Sequence, residues 1–210
     1  MDDLKNHLVP SSFAPGQVVS APGDRADRVY FPVSGLVSAF ALFETGQQVE
    51  CVLIGRSGAI GALAALGMSR GLTLNVSHFH THAWSIAAET LHQMCLRSPG
   101  VAEALTRACE AQIGYGVRVG ACNAVHNVEQ RLARWLLCAS ALLEDREIQL
   151  PQEAFAQVLG AQRSTVNPLL QRFQAEGMIK LKRANVEVVD HARLQRRACE
   201  CYRTLSATLR

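Results

Sequence analysis

The sequence predicts an α+β protein with a β domain first, a long helix next and a winged helix-turn-helix last. Three observations support this order. From about residue 13 to residue 94, short alternating apolar and polar runs are separated by Gly, Pro and Asp. Residues 99–125 are rich in Ala, as in a helix. Residues 150–183 hold two apolar stripes at helical spacing on either side of Gly160.

Length and composition limit the classes of protein to consider. The chain has 210 residues, 49% of them hydrophobic, which suffices for two small domains. It has no run of 18 apolar residues and its first ten residues hold no apolar signal region, so we expect a cytoplasmic protein without membrane contact. Seven cysteines without a regular framework favour reduced thiols. The absence of a nucleophile elbow, a phosphate-binding Gly loop and an HExxH motif predicts no enzyme activity.

The N-terminal strands are short and closely spaced, which favours an antiparallel sandwich or barrel over residues 1–96. The predicted strands are residues 17–20, 28–31, 36–42, 48–54 and 77–86. The last of them contains His78, His80 and His82 in alternation. On a strand these imidazoles share one face at intervals of about 6.6 Å, and imidazole binds zinc, copper or nickel. They are candidate metal or haem ligands, with a solvated His-rich face as the alternative.

The next predicted element is a helix over residues 97–125 that pairs with a second copy. Its seam consists of residues at near-heptad positions, which are Leu105, Ala108, Gln112, Tyr115, Val119 and Cys122. Gly114, Gly116 and Gly120 weaken this helix by roughly 1 kcal/mol each, or allow a close helix approach. Cys122 is either an oxidation-sensitive thiol at the two-fold axis or an ordinary buried cysteine.

A further helix begins at Asn127, which is a suitable N-cap with Gln130 three residues later. Its apolar stripe comprises Val128, Leu132, Trp135, Leu136, Ala139 and Leu143, with Glu129, Arg131 and Arg134 predicted to face away and a polar end at residues 144–149. This helix opens the predicted C-terminal domain, residues 126–210.

Two short helices separated by Gly160 then predict a DNA-reading unit. Phe155, Val158 and Leu159 form the first apolar face, and Val166, Leu169, Leu170 and Phe173 form the second. Arg163, Ser164, Thr165 and Asn167 are left at the outer N-terminal end of the second helix, where a helix-turn-helix contacts base edges. We expect Gln162 and a wing at residues 179–189, with Lys180, Lys182 and Arg183, to contact phosphates.

The distribution of charge agrees with this interpretation. Residues 118–210 carry 14 Lys and Arg against 9 Asp and Glu, whereas residues 1–117 carry 7 against 9. A last helix is predicted over residues 191–209. Because its Cys199 and Cys201 would point about 200° apart on a helix, we expect structural cysteines rather than a shared metal.

Several segments resemble the cyclic-AMP receptor protein / fumarate-nitrate reductase regulator (Crp/Fnr) family of bacterial regulators. The resemblance rests on PGQVV, APGDRADRVYFPVSGLVS and GRSGAIGAL, and then on HNVEQRLARWLL and LPQEAFAQVLGAQRSTV. It implies a jelly-roll effector domain, a dimerisation helix and a winged helix-turn-helix. It also implies a homodimer on a pseudo-palindromic double-stranded operator, with RNA polymerase as a further candidate partner.

The sensor positions depart from the pattern of this family. Its cyclic-nucleotide binders use a Gly-Glu-Leu turn and an Arg-Ser pair, whereas this chain has Gly61, Ala62 and Leu63, with Arg70 as the nearest cation. These four residues are the candidate effector pocket, and we do not expect cyclic AMP to bind. Because the first cysteine is Cys51, we also do not expect the family's N-terminal iron–sulfur cluster. The effector stays unknown.

The reader departs from the family as well. Arg163 matches a guanine-contacting Arg, but Ser164 and Pro168 replace a Glu and a second Arg. Pro168 either kinks the helix or lies in its first turn, with Ser164 as the N-cap. We therefore predict a transcription regulator with altered specificity that is independent of cyclic AMP. The alternative is a metal- or small-molecule-binding sensor with a degenerate reader that acts through protein partners.

Overall fold

The computed structural model describes residues 2–68, 70–143, 147–151 and 154–208. By the clustering of its contacts the chain divides into two compact units. The first comprises Met1–Ala39 with Ile54–Gly114, and the second comprises Phe40–Leu53 with Tyr115–Arg210. The boundary runs through two neighbouring strands and through the long helix, so the units interleave along the chain. The domain boundaries predicted from the sequence, after residues 96 and 125, stay predictions.

The N-terminal part contains two antiparallel sheets. One has the order β1-β7-β3, formed by Val9–Phe13, Thr81–Ala87 and Arg28–Ser34. The other has the order β2-β6-β4-β5, formed by Val18–Ser20, Leu74–Ser77, Val37–Leu42 and Gln48–Ile54. Strands β1 to β4 alternate between the two sheets, β5 and β6 stay in the sheet of β4, and β7 returns to the first sheet, as in a double-sheet β domain. The single strand expected at residues 77–86 is wrong, because residues 78–80 form a turn between β6 and β7.

Short helices close the core of the first unit. They are α1 (Asp2–His7), α2 (Ala62–Ala65) and α3 (Ala88–Arg97). The core joins these helices, β3 and β7 to the beginning of the long helix α4 (Pro99–Val125). Its buried members are Val29, Ala59, Ala62, Ala65, Ile86, Ala88, Leu91, Met94, Leu105 and Cys109.

The seam expected on α4 is wrong. Leu105, Tyr115, Val119 and Cys122 are buried within the chain itself, because they are used by the cores of the two units. A different stripe of α4 is exposed, and it consists of Ile113, Val117, Gly120 and Ala124. These four residues, here called the exposed stripe, follow one another at intervals of four, three and four residues, which is heptad spacing.

The predicted start of α5 (Val128–Leu143) is confirmed. The backbone amide of Gln130 donates to Asn127 Oδ1 at 3.0 Å, and the amide of Asn127 donates to Gln130 Oε1 at 3.3 Å, which is a reciprocal capping box. The outward orientation predicted for Arg131 and Arg134 is wrong, since both are buried. Other elements surround α5 on several sides, so its burial is not confined to one stripe. Part of the predicted polar end at residues 144–149 lies outside the described residues.

The rest of the second unit is built around α5. Helices α6 (Ala154–Leu159) and α7 (Arg163–Ala175) precede a sheet of order β8-β10-β9, formed by Glu147–Ile148, Asn185–Val188 and Ile179–Lys182. The last helix is interrupted, contrary to expectation, into α8 (His191–Arg197) and α9 (Cys201–Thr208). Among the described helices, none has the length and apolarity that a membrane span requires.

Candidate nucleic-acid interface

The turn between α6 and α7 follows from Gly160. This residue has φ +55°, the left-handed conformation that glycine adopts at low cost. The amide of Ala161 donates to the carbonyl of Ala156 at 3.0 Å, which is the longer hydrogen bond of a Schellman motif. The turn therefore ends α6 and redirects the chain into α7, as the sequence predicts.

Helix α7 begins at Arg163. The alternative with Ser164 as the N-cap is therefore wrong, because it starts the helix two residues later. Gln162 occupies the N-cap, and its carbonyl accepts hydrogen bonds from the amides of Thr165 and Val166 at 3.0 and 3.1 Å. Pro168 is thus the sixth residue of α7 rather than a member of its first turn. It removes the amide that would donate to the carbonyl of Ser164. Helix α7 nevertheless continues to Ala175.

The N-terminal end of α7 has a buried face and a solvent-facing face. Val166, Leu170 and Phe173 are fully buried. All the residues predicted to read DNA are exposed, which are Gln162, Arg163, Ser164, Thr165 and Asn167. Among the described residues, the Arg163 guanidinium has no hydrogen-bond or ion-pair partner. This end of α7 presents one cation and several hydrogen-bonding groups to solvent.

The hairpin after α7 has the form predicted for a wing. Strands β9 and β10 pair from Lys182 opposite Asn185 to Ile179 opposite Val188, with a two-residue turn at Arg183 and Ala184. Ala184 adopts a left-handed φ of 60°. Lys180 and Arg183 are exposed. The tip of the wing can therefore place positive charge against a polyanion.

Lys182 is in a different environment from its neighbours in the wing. Its ammonium forms an ion pair with Glu147 on β8 and another with Glu187 on β10, the latter at 2.9 Å. Hydrogen bonding to these carboxylates raises the pKa of Lys182, and the bond from Lys182 lowers the pKa of Glu147. The lysine fastens three strands together, so its charge is already compensated within the protein.

The charges of two further arginines, Arg172 and Arg197, are also neutralised by carboxylates. Arg172 on α7 pairs with Glu129 on α5, and Arg197 on α8 pairs with Glu176 at 2.5 Å and with Glu129 at 3.4 Å. Exposed ion pairs of this kind contribute about 0–1 kcal/mol each. Their main effect here is to reduce the positive charge on the side of α7 that faces α5 and α8.

Residues distant in the sequence pack against the helix-turn-helix and hold it in place. Trp135 of α5 packs edge-on against Phe155 of α6, with ring centroids 5.4 Å apart. The indole of Trp135 donates to the buried Glu50 Oε1 at 2.8 Å. Beside them, a Cβ on Gly160 would lie 3.1 Å from the methyl groups of Val49. Sequence reasoning missed this role of β5, because no local pattern links residues 49 and 50 to residues 135 and 160.

The candidate effector residues occupy one turn and a nearby loop. Gly61 precedes α2 with φ +77°, and a Cβ there would lie 2.7 Å from the carbonyl oxygen of Arg28. Ala62 is 4% exposed and belongs to the apolar core, while Leu63 packs against that core. Arg70 is exposed and donates to the carbonyl of Gly23 at 2.7 Å. None of these four residues has a carboxylate that could bind a ribose hydroxyl.

The three histidines do not share a strand face, so the geometric premise of that prediction is wrong. His78 and His80 lie in the turn before β7, and only His82 is on the strand. His78 hydrogen-bonds to the buried Ser38 hydroxyl at 2.8 Å, and burial lowers its pKa to about 4. In the part of the chain that the structure describes, three or more potential metal ligands converge only at Cys122, His126, Cys199 and Cys201.

Two domain profiles match the chain in the order that its fold displays. The cyclic nucleotide-binding domain matches residues 10–98, and the Crp-like helix-turn-helix domain matches residues 130–197. The chain is 28% identical over 202 residues to the CRP-like cAMP-activated global transcriptional regulator of Mycobacterium tuberculosis, covering 93% of this chain and 90% of that protein. It is 25% identical over 197 residues to the global nitrogen regulator of Nostoc sp., covering 86% and 85%.

Solved structures of the same architecture are similar at lower sequence identity. A CRP-family transcriptional regulator from Thermus thermophilus aligns with a TM-score of 0.77 at 18% identity, over 90% of this chain and 96% of that chain. FixK2 from Bradyrhizobium japonicum aligns with a TM-score of 0.78 at 14% identity, over 91% and 98%. This likeness confirms the fold class, a jelly-roll β domain followed by a long helix and a helix-turn-helix. The domain profiles and the relatives together show that the chain belongs to the Crp/Fnr family of transcriptional regulators.

Proposed function

We propose that the protein is a sequence-specific transcription regulator that binds a pseudo-palindromic operator as a homodimer, without a requirement for cyclic AMP. The observation that carries the proposal is the exposed N-terminal end of α7. Arg163, Thr165 and Asn167 lie together there on a helix whose opposite face is fully buried. A helix-turn-helix uses this end of its second helix to contact bases in the major groove.

Each basic group has a distinct role in this proposal. Arg163 grips a guanine through two hydrogen bonds, because a guanidinium matches the N7 and O6 acceptors of that base. Ser164, Thr165 and Asn167 contact bases or adjacent phosphates, and Gln162 contacts the backbone. Lys180 and Arg183 of the wing contact flanking phosphates. Lys182 contributes less than predicted, since Glu147 and Glu187 already neutralise it.

The exposed stripe of α4 supports the homodimer. Ile113 and Val117 are 61% and 69% exposed and lie one helical turn apart, so they form an adjacent apolar pair that a second helix can cover. Gly120 and Ala124 continue the stripe with minimal side chains, and a Cβ on Gly120 would meet no atom within 4 Å. Small residues let two helices approach closely, and the heptad spacing suits a two-stranded coiled coil. A two-fold dimer then presents two readers to two half-sites.

Independence from cyclic AMP rests on the turn at Gly61. The position that carries a carboxylate in cyclic-nucleotide binders of the family is Ala62, which is packed in the apolar core. Arg70 already donates to a backbone carbonyl, so no unengaged guanidinium lies in that loop among the described residues. A buried cyclic phosphate without a cationic partner is strongly disfavoured. Addition of cyclic AMP at millimolar concentration should leave operator affinity unchanged, and an increase would contradict this part of the proposal.

The direct test of the reader is Arg163→Ala in a gel-shift series with a selected operator and a scrambled duplex. Loss of one bidentate contact removes about 1–3 kcal/mol of base discrimination, so the ratio of the two affinities should fall about 5- to 150-fold. Binding to the scrambled duplex should persist and stay sensitive to salt. Arg196→Ala, which removes an exposed cation from α8, serves as the control and should keep the ratio. An unchanged ratio in Arg163→Ala would refute the assignment.

A further inference from the structure

Four potential metal ligands converge where α4 meets the break between α8 and α9. They are Cys122, His126, Cys199 and Cys201, whose ligand atoms all lie within 4.8 Å of one another. Cys122 and His126 are four residues apart at the end of α4, which places them on the same side of the chain. Cys199 and Glu200 lie in the non-helical junction, and Cys201 is the first residue of α9. The three thiols are buried.

Two distances between ligand atoms equal those expected around a single tetrahedral ion. Cys122 Sγ lies 3.5 Å from Cys199 Sγ, and Cys201 Sγ lies 3.8 Å from His126 Nδ1. In tetrahedral zinc sites, Zn–S bonds of about 2.3 Å and Zn–N bonds of about 2.0–2.1 Å place ligand atoms about 3.5–3.8 Å apart. Three cysteines with one histidine is also an established ligand set for structural zinc.

The histidine has the second partner that metal-bound imidazoles usually have. Its Nε2 lies 3.1 Å from Glu200 Oε2, while its Nδ1 is directed toward the thiols. A carboxylate on the far nitrogen fixes the orientation and tautomer of a ligating imidazole and makes it a stronger donor. Glu200, the residue between the two cysteines, therefore acts on the site through His126.

Two buried arginines interact electrostatically with the thiols of Cys122 and Cys199. Arg134 is 2% exposed, and its Nε and Nη1 atoms have no hydrogen-bond partner among the described residues. The Nε atom of the buried Arg131 also has none, although its Nη1 donates to Asn123. A divalent ion with three thiolates and a neutral imidazole carries one net negative charge, which these guanidiniums would offset.

We propose that Cys122, His126, Cys199 and Cys201 bind one thiophilic divalent ion, preferably Zn²⁺, in a closed tetrahedral site. The ion forms bonds to three sulfurs and to His126 Nδ1, and the thiols release their protons to solvent as they bind. Because the ligands come from the end of α4 and from the α8–α9 junction, the ion fastens these elements together. Its primary effect is to stabilise the second unit.

The test is a titration of the reduced, metal-free, full-length protein with Co²⁺, followed by displacement with Zn²⁺. We expect one Co²⁺ per chain, with sulfur-to-metal charge-transfer absorption and the visible bands of tetrahedral cobalt. Zn²⁺ should abolish both signals and raise the midpoint of thermal unfolding relative to the metal-free protein. Glu200→Gln should weaken the ion's affinity by about 10–100-fold while keeping the cobalt spectrum.

Two cysteine variants complete the experiment. Cys201→Ser should lose the tetrahedral spectrum, whereas Cys51→Ser makes the same change at a cysteine outside the cluster and should bind like the wild type. Since Glu200 is exposed, Glu200→Gln remains informative even if a cysteine variant does not fold. Failure of the wild type to bind Co²⁺, an octahedral spectrum, or equal loss in Cys51→Ser would overturn the proposal. Formation of a Cys122–Cys199 disulfide in air, without metal uptake by the reduced protein, would overturn it as well.

Discussion

At the scale of residues, the basic side chains of the C-terminal part differ in what already surrounds them. Lys182, Arg172 and Arg197 form ion pairs with carboxylates, whereas Arg163 and Arg183 are exposed and have no carboxylate partner among the described residues. A protein cation displaces counterions from a DNA phosphate only where a carboxylate of the protein does not already neutralise that cation. Exposure and ion pairing therefore divide the predicted DNA contacts into those that bind phosphate and those that hold the sheet together.

This division predicts different effects for two neighbouring lysines. Lys180→Ala should reduce the slope of log affinity against log salt concentration by about 1, because one phosphate contact is lost. Lys182→Ala should change that slope less and should lower the stability of the protein instead, since it leaves Glu147 and Glu187 without their cation. Affinities measured at four salt concentrations and urea unfolding curves separate the two outcomes. Equal slopes in the two variants would contradict the division.

Gly61, in the candidate effector turn, is required by the backbone, and this can be tested without a ligand. Gly61 and Gly16 belong to the first unit and have nearly the same φ, +77° and +80°. An alanine at either position has the left-handed penalty of about 1–2 kcal/mol. Only at Gly61 would the new Cβ also lie 2.7 Å from a carbonyl oxygen, that of Arg28.

Gly61→Ala should therefore lower the free energy of unfolding by about 1–3 kcal/mol more than Gly16→Ala does, as measured in urea. Gly16 is a suitable control, because a Cβ there would meet no atom within 4 Å. Equal losses in the two variants would show that the close approach to Arg28 has no energetic weight.

Residue-scale features could be predicted where the signal is local. The capping box of Asn127 and Gln130 and the left-handed Gly160 involve partners within a few residues. The convergence of Cys122 with Cys199 could not be predicted, because those residues are 77 positions apart and meet only through the packing around α5. The predicted continuity of the last helix also kept Cys199 and Cys201 apart, whereas the break at residues 198–200 brings them together.

At the scale of elements, α4 shows why periodicity identifies a helix more readily than its partner. The helix has one apolar stripe used inside the chain and a second that stays exposed, and both have heptad spacing. The near-heptad spacing of Leu105, Tyr115 and Cys122 predicted the first stripe as the seam. Which stripe is exposed depends on where the sheets and α5 pack, and that information is not local to α4.

The exposed stripe yields a prediction about assembly. In the proposed dimer, Val117→Glu would place two carboxylates in the apolar seam, where burial of unpaired charge is costly. The dissociation constant of the dimer should rise at least about 100-fold, which corresponds to roughly 3 kcal/mol. Sedimentation of the variant across a range of concentrations measures this change.

Val125→Glu provides the matched control for this experiment. Val125 is 77% exposed, is on the same helix and lies off the exposed stripe, so its substitution should leave the dimer intact. If the Val117→Glu protein sediments as a dimer at the same concentrations as the wild type, the protein does not associate through this stripe.

At the scale of the whole molecule, the order of the parts was predictable and the grouping of the parts was not. The β domain, long helix and helix-turn-helix follow one another along the chain as the patterns indicated. The tip formed by β4 and β5 nevertheless belongs to the second unit, where Glu50 accepts a hydrogen bond from Trp135. A buried carboxylate at residue 50 gives no local signal that its partner lies 85 residues away.

The central claim is that paired α7 helices read a two-fold symmetric DNA site. Selection of the purified full-length protein against a pool of random duplexes, followed by sequencing, tests it most directly. We expect a two-fold symmetric motif with half-sites about one helical turn apart, roughly 10 base pairs between centres, and with a guanine in each half-site that Arg163→Ala no longer selects. Failure to enrich any sequence, or enrichment of a motif without two-fold symmetry, would contradict the account.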